Sequence, residues 1–216
     1  MPIEYRGVSR FDQVRFMGPG ALKITQTNEE SLTVDAPAYV MKHIISDVED
    51  GVLTVGYKSP EVAPIRVFKE HISFYLSMKE LLEIVVTGQG SVLVPDLDSD
   101  ALRVEISGRG NVSLEHLTAD NFKAIVHGPG RIWAEGDVEK QSIVVNGPGN
   151  IVTDRLMSDF AHVSLNGPGK VSVLATDELN VLINGEGEVT YGGFPCITQT
   201  IRGRGALNRR RRQSKR

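Results

Sequence analysis

Three aspartates at alternate positions, Asp96, Asp98 and Asp100, are the residues of this chain whose type and spacing come nearest to a cation site. Oxygen-rich calcium loops place carboxylates in this way. An EF-hand loop begun at Asp96, however, has Ala101 at its sixth position, where the sharp turn requires glycine, and Ser107 at its twelfth, where a bidentate glutamate is required. The three aspartates are the only calcium candidates, and they read better as a solvated turn between elements. The five histidines, His43, His71, His116, His127 and His162, show no metal-ligand spacing, and Cys196 has no second cysteine to join it. No metal site, cofactor-binding residue or catalytic residue is assigned on this basis.

Gly-x-Gly recurs throughout the second half of the chain and invites a phosphate-binding reading. No copy continues to a third glycine ahead of a helix, and no Gly-Lys-Ser/Thr follows one. Polysaccharide cleavage would need two carboxylates on one outward-facing column. The available acids, Glu105, Glu115, Glu135 and Asp137, fall at scattered positions of the repeat. A non-enzymatic chain is therefore expected, with a carbohydrate-active enzyme as the alternative. The run Arg209 to Arg216 is the remaining polar feature with obvious partners. Like-charged runs are usually disordered, and this one could engage nucleic acid, an anionic surface or the acidic body of the protein itself.

The glycines define the elements. Gly-x-Gly stands at Gly88/Gly90, Gly108/Gly110, Gly128/Gly130, Gly147/Gly149, Gly167/Gly169, Gly185/Gly187 and Gly203/Gly205, at offsets of 20, 20, 19, 20, 18 and 18 residues, with an isolated copy at Gly18/Gly20. Two residues before each first glycine lies an apolar residue, as at Val86, Ile106, Val126, Val145, Leu165 and Ile183. Four residues after it lies another, as at Val92, Val112, Ile132, Ile151, Val171 and Val189. Alternation on both sides makes each unit a pair of short half-buried strands, and the mainly β-branched residues suit strands. The glycines are then corners, where a positive φ and a missing Cβ let the chain turn. A unit of about 20 residues is too short for a βαβ crossover, so each strand stacks in parallel on its counterpart one coil later. The reading is an all-β, single-domain parallel β-helix or solenoid, right-handed, with about seven coils. Immediately before each corner lies one further column: Thr87, Ser107, His127, Asn146, Asn166, Asn184 and Arg202. Its three asparagines suggest an amide ladder along the axis, or residues tolerant of turn geometry.

Residues 25–80 break this rhythm. Strands are expected at Ser31 to Val34, His43 to Val48, Val52 to Tyr57, Ile65 to Val67 and Ile72 to Leu76, with turns at Asp50-Gly51 and Ser59-Pro60. The organisation is thus an N-terminal β part or cap over 1–80, regular repeats over 81–207 and a basic, disordered tail over 208–216. The net charge of −3 hides an asymmetry, because residues 202–216 hold eight of the 24 bases and none of the 27 acids, leaving 24 − 8 = 16 bases in the body. The one cysteine excludes an internal disulfide and is expected as a small packed side chain. No run of 18 apolar residues occurs and no signal peptide follows Met1. A complete chain would be cytoplasmic; the cell surface or periplasm would require a missing leader.

Taken in order, these motifs resemble the auto-transporter adhesin head domain, or GIN domain, family of bacteria, a domain of unknown function. The resemblance runs from Phe11 through Leu207: a Phe and a Gly-bearing strand over Phe11 to Ile24, a segment Asp50-Gly-Val-Leu-Thr-Val55, the repeated corner units, and Tyr191-Gly-Gly-Phe-Pro195 before a last Gly-x-Gly. The family's usual Gly-Ser-Gly-Asp corner is replaced by Gly-Pro-Gly at Pro19, Pro129, Pro148 and Pro168, or by Gly-Arg-Gly or Gly-Glu-Gly. Proline suits a corner that needs no ladder donor. The resemblance implies a structural or binding module, adhesin-like, with a glycan or protein partner on the solenoid surface. A free final strand near Ile201 to Leu207 adds the expectation of a homo-oligomer.

Overall fold

The computed structural model describes residues 2–58, 67 and 70–210. Expectations that fall on Ser59-Pro60, on Ile65 and Arg66, and on residues 211–216 lie outside the described residues. The chain forms one continuous sheet system of 18 strands coiled into a β-solenoid of about six turns. Seven regularly spaced corners bound six intervals, which is why the turns number one fewer than the motifs.

The regular coils are built from β8 (Glu83–Gly88), β9 (Ser91–Val94), β10 (Leu97–Gly108), β11 (Asn111–His127), β12 (Arg131–Asn146), β13 (Asn150–Asn166), β14 (Lys170–Leu174), β15 (Glu178–Gly185), β16 (Glu188–Gly192), β17 (Cys196–Gly203) and β18 (Ala206–Arg209). All pair in parallel, with like positions in register: Val104, Ala124, Ile143, Val163 and Val181 occupy one inward column. These inward side chains merge into a single core from Val8 to Val189. Burying each Val, Ile or Leu is worth roughly 1.5–3 kcal/mol, so the column is the main source of cohesion.

The two properties expected of the corner glycines divide between the members of each of the seven regularly spaced pairs, and the isolated pair Gly18/Gly20 reverses the division. A positive φ, between 89° and 123°, belongs to the first glycine alone: Gly88, Gly108, Gly128, Gly147, Gly167, Gly185 and Gly203. For the second glycine, at Gly90, Gly110, Gly130, Gly149, Gly169, Gly187 and Gly205, that expectation is corrected, because none of these has a left-handed φ. What they supply is space. A Cβ at the second position would run into the inward side chain that precedes the corner one coil earlier. That side chain is Phe16 for Gly90, Val86 for Gly110, Ile106 for Gly130, Leu165 for Gly187 and Ile183 for Gly205. The residue two places before each corner thus packs beneath the second glycine of the next, which ties the two periodic features of the sequence to one contact.

The expected pair of short strands is corrected. β11, β12 and β13 run from one corner to the next as strands of 17, 16 and 17 residues that bend twice. In β11 the buried pairs Val112/Leu114, Leu117/Ala119 and Phe122/Ala124 are separated by exposed Glu115-His116 and Asp120-Asn121. Each full coil therefore has three faces. The first follows the Gly-x-Gly corner, the second is a short stretch such as 117–119, and the third leads into the next corner. A second face of three residues is too short for its alternation to stand out in sequence.

The coil between Gly167 and Gly185 is two residues shorter, and the second face is what it loses. After Leu174 the chain cuts across through buried Ala175, with the amides of Thr176 and Asp177 donating to the carbonyls of Ser158 and Asp159. The Leu174 carbonyl accepts from two buried side chains, Gln141 Nε2 at 3.0 Å and Ser158 Oγ at 2.9 Å. Gln141 Nε2 also donates to Ser158 Oγ at 2.8 Å, and the buried Thr153 hydroxyl lies 2.8 Å from Gln141 Oε1 and 3.1 Å from the Ser172 carbonyl. A polar cluster inside an apolar column is tolerable because its members satisfy one another.

The N-terminal part comprises β1 (Ile3–Arg6), β2 (Gln13–Met17), β3 (Ala21–Gln26), β4 (Ser31–Asp35), a short helix α1 (Ala38–Met41), β5 (Ile44–Glu49), β6 (Val52–Tyr57) and β7 (Ser73–Met78). The helix has no counterpart in the sequence reading. Asp50 and Gly51, with φ of 50° and 80°, form the two-residue turn of the β5–β6 hairpin, as Asp-Gly predicts. Stacking order departs from chain order. β2 lies between β6 and β8, and β3 between β7 and β9, so the coil of Phe11 to Ile24 is inserted beneath the cap as the first regular layer. Antiparallel β5, β4 and β1, with buried Val40 and Met41 of α1, close that end.

Candidate functional site

Outward positions of the third face form columns as regular as the inward ones. Asn121, Lys140, Phe160 and Glu178 stand in one; Lys123, Ser142, His162 and Asn180 stand two residues further along the same strands. Together with Phe122, Gln141 and Ala161 they line a hollow of about 440 Å³. Four strands at about 4.8 Å spacing make it roughly 14 Å long, running parallel to the solenoid axis. Phe160, whose side chain is large, aromatic and 40% exposed, stands in the first of these columns. The rim offers amides, a hydroxyl, an imidazole, two ammonium groups and a carboxylate. Glu178 Oε1 accepts from Asn180 Nδ2 at 2.8 Å, which fixes both. Lys140 is held above the usual lysine pKa by its hydrogen bond to Glu139, Nζ to Oε1 at 2.8 Å, and by that carboxylate's charge. It is a cation at every ordinary pH. Nothing in the repeat pattern of the sequence marked Phe160, because an outward position carries no periodic constraint.

A second shallow surface lies on the first face, where Tyr75, Lys23, Leu93, Ser113 and Trp133 share one outward column. The hollows along it are smaller and divided, about 230 and 340 Å³.

The column before the corners is an amide ladder. Asn184 Nδ2 donates to Asn166 Oδ1 at 2.8 Å, Asn166 Nδ2 to Asn146 Oδ1 at 2.9 Å, and Asn146 Nδ2 faces His127 Nδ1 at 3.2 Å. His127 Nε2 lies 3.6 Å from Glu105 Oε1; Glu105 pairs with Arg103, which reaches Glu83 at 2.6 Å. A line of polar contacts thus joins seven residues on six stacked strands. Asn166 sits mid-ladder with both the nitrogen and the oxygen of its amide engaged, so Asn166→Ala should lower the free energy of unfolding by about 1–2 kcal/mol, read from the denaturant midpoint. Asn184→Ala, which removes one of these bonds, should cost less.

Other residues singled out in sequence are not brought together. Asp98 and Asp100 lie on β10, not in a turn, and only Asp96 precedes the strand. Gln26 brackets the Asp98 backbone, accepting from its amide and donating to its carbonyl, both at 2.9 Å. Among the described residues no group of three or more His, Cys, Asp or Glu could hold a metal ion. Glu115 and His116 lie in the β11 bulge where the register with β12 breaks, so neither has an in-register partner on β12. Glu135 points its charge at Arg155, 3.5 Å away. Ser73 Oγ and His71 Nε2 are 3.2 Å apart, but Ser73 is buried and no described hydrogen bond joins His71 to a carboxylate. Cys196, expected to pack, is exposed, on a strand that among the described residues is covered on one side only, by β15. Asn208 and Arg209 belong to β18. Arg209 stacks over the Phe194 ring at 4.0 Å and donates to the Gly193 carbonyl, while Arg210 pairs with Asp154 at 2.5 Å. The first two arginines of the basic run are therefore seated on the solenoid. No helix among the described residues is long and apolar enough to cross a membrane.

A packed solenoid whose outward columns carry a polar ladder and a groove lined by an exposed aromatic ring is a repeat scaffold of the surface-presenting kind. The chain belongs to the family described as "Putative auto-transporter adhesin, head GIN domain", whose model matches residues 10–195. Solved structures share the fold over nearly their whole length. A putative adhesin from Bacteroides fragilis NCTC 9343 is 22% identical with a TM-score of 0.87, each chain covered to 96%. A putative lipid binding protein from Parabacteroides distasonis ATCC 8503 is 23% identical, covering 97% of this chain and 96% of its own, with a TM-score of 0.78. A putative adhesin from Parabacteroides merdae ATCC 43184 is 18% identical at the same coverage, with a TM-score of 0.75. No functionally curated protein matches the chain.

Proposed function

We propose that this protein is a non-enzymatic binding module that takes an extended glycan in the third-face groove, with Phe160 as the stacking platform. The observation that carries the reading is the composition of that groove: an exposed aromatic ring beside hydroxyl, amide, imidazole, ammonium and carboxylate groups. A sugar presents C–H faces to a ring and hydroxyls to such a rim, and pockets of this kind use a few placed polar groups for orientation. Family membership among adhesins agrees with it. A lipid chain, by contrast, would be expected to use an enclosed apolar cavity, and the interior of this solenoid is filled by its own columns.

The test is a glycan array run beside a turnover assay on the same sugars. Binding without release of reducing ends is expected. Phe160→Ala should weaken the best ligand at least tenfold, about 1.4 kcal/mol, while Phe160→Trp retains it. Cleavage of a bound sugar would restore the enzyme reading, and wild-type affinity in Phe160→Ala would move the site elsewhere.

A further inference from the structure

The two ends of the solenoid are built differently. At the N-terminal end the third face terminates in β5 and the first face in β1, with α1 tucked beneath. At the other end the same two faces terminate in β17 and β18, each paired on one side only among the described residues. Every residue of β17 is exposed, whereas its partner β15 buries Leu179, Val181 and Ile183. Ile197 and Ile201 continue the inward columns of Leu179 and Ile183, yet each is 39% exposed. Unpaired edges beside open apolar columns are the surface to which another strand adds.

Charge selects the occupant. Residues 196–210 hold four arginines, Arg202, Arg204, Arg209 and Arg210, and no acid; residues 211–216 add four further bases and no apolar side chain. Arg210 is neutralised by Asp154, and Arg204 reaches Glu186 only at 3.9 Å. A tail-to-tail pair would oppose two such basic edges. The β5–β6 hairpin at the opposite end is complementary: residues 44–57 carry Asp47, Glu49 and Asp50 and no base, while on β1 Arg6 is paired with Glu4 at 3.0 Å. Asp47, Val48 and Glu49 are exposed on β5, as are Ile3 and Tyr5 on β1, so this end too combines apolar and charged groups.

We infer that the C-terminal end of the solenoid docks on the N-terminal end of a second copy, β17 against β5 and β18 against β1. The strand directions permit it. β5 runs antiparallel to the column that ends in β17, whereas β1, antiparallel to β4, which is itself antiparallel to β7, runs with the column that ends in β18. In-line stacking therefore makes one antiparallel and one parallel pair at the same junction. Because the contact joins unlike surfaces, it does not close on a dimer but propagates as a row. Columns on the third face would then continue from copy to copy. The inference is independent of what the groove binds.

Charge exchange between the ends tests it, using the full chain in sedimentation velocity at rising concentration. Wild type should grow past the mass of two chains, and less so in high salt, which screens exposed charges. Asp47→Lys/Glu49→Lys and Arg202→Glu/Arg204→Glu, all at exposed positions, should each stay at the mass of one chain. Mixed one to one, or combined in a single chain, they should recover wild-type association, because both junctions again oppose unlike charges. Wild type that stays monomeric overturns the inference. So does a dimer that persists in Asp47→Lys/Glu49→Lys, which would indicate tail-to-tail pairing, and so does failure of the exchanged pair to recover.

Discussion

Gly169→Ala should destabilise the protein by about 3 kcal/mol or more, and should cost more than Gly147→Ala, although both replace a glycine of the same motif. The two glycines of a corner do different jobs. Gly147, the first of its pair, has φ of 109°, where an L residue is strained, but a Cβ there would meet nothing closer than 3.6 Å. Its replacement should cost the roughly 1–3 kcal/mol of backbone strain alone. Gly169, the second of its pair, needs no positive φ. A Cβ on it would fall 2.7 Å from Val145 Cγ1 and 2.8 Å from the carbonyl oxygens of both Gly147 and Gly149. The Gly149 carbonyl is held by the Lys170 amide at 3.0 Å, so backbone cannot yield without breaking a coil-to-coil bond. For a chain of this size, 3 kcal/mol corresponds to a fall in Tm of about 6–12 °C. Thermal and denaturant unfolding of the two variants side by side decide it: an order of cost reversed, or a Gly169→Ala loss under about 1 kcal/mol, would show that the second glycine is not there for space.

Gln141→Leu combined with Ser158→Ala should be the most damaging pair of conservative changes in the core, about 3 kcal/mol, with a coupling of at least about 1 kcal/mol. Each side chain donates to the Leu174 carbonyl, so either single variant leaves that oxygen with one donor and should cost only about 1 kcal/mol. Losing both strands a buried carbonyl beside apolar neighbours, and the desolvation penalty then falls on the double variant alone. A double-mutant cycle on unfolding free energy reads the coupling. Additive losses would mean that the carbonyl finds another partner, and that the cluster does not bridge the shortened coil.

Much of the fold was legible because a solenoid writes its geometry as a period. Val86, Ile106, Val126, Val145, Leu165 and Ile183 recur before the corner because each must point inward one layer below the last, and parallel register copies that demand along the chain. The Asn146, Asn166, Asn184 column was visible for the same reason, although only the 2.8 and 2.9 Å contacts established it as a ladder. The Asp50-Gly51 hairpin was legible from local turn chemistry, which needs no tertiary partner.

The corner motif, its inward columns and the family it belongs to were determined by the amino-acid sequence alone, since each depends on spacing that the chain carries in one dimension. Tertiary structure decided the rest. The insertion of β2 and β3 beneath a later cap is a long-range pairing that no local pattern encodes. The division of labour within Gly-x-Gly depends on which atoms of the neighbouring coil lie against each glycine, and the spacing of the motif is the same for both members. Gln141 sits at an inward position where apolar residues are expected, and only the missing two residues of a coil 33 positions later explain it. The groove around Phe160 assembles from residues about 20 apart on successive strands, at outward positions where the repeat imposes nothing. Inward positions obey packing, which is periodic and therefore readable; outward positions obey whatever meets the surface, and that becomes visible only when the coils are stacked.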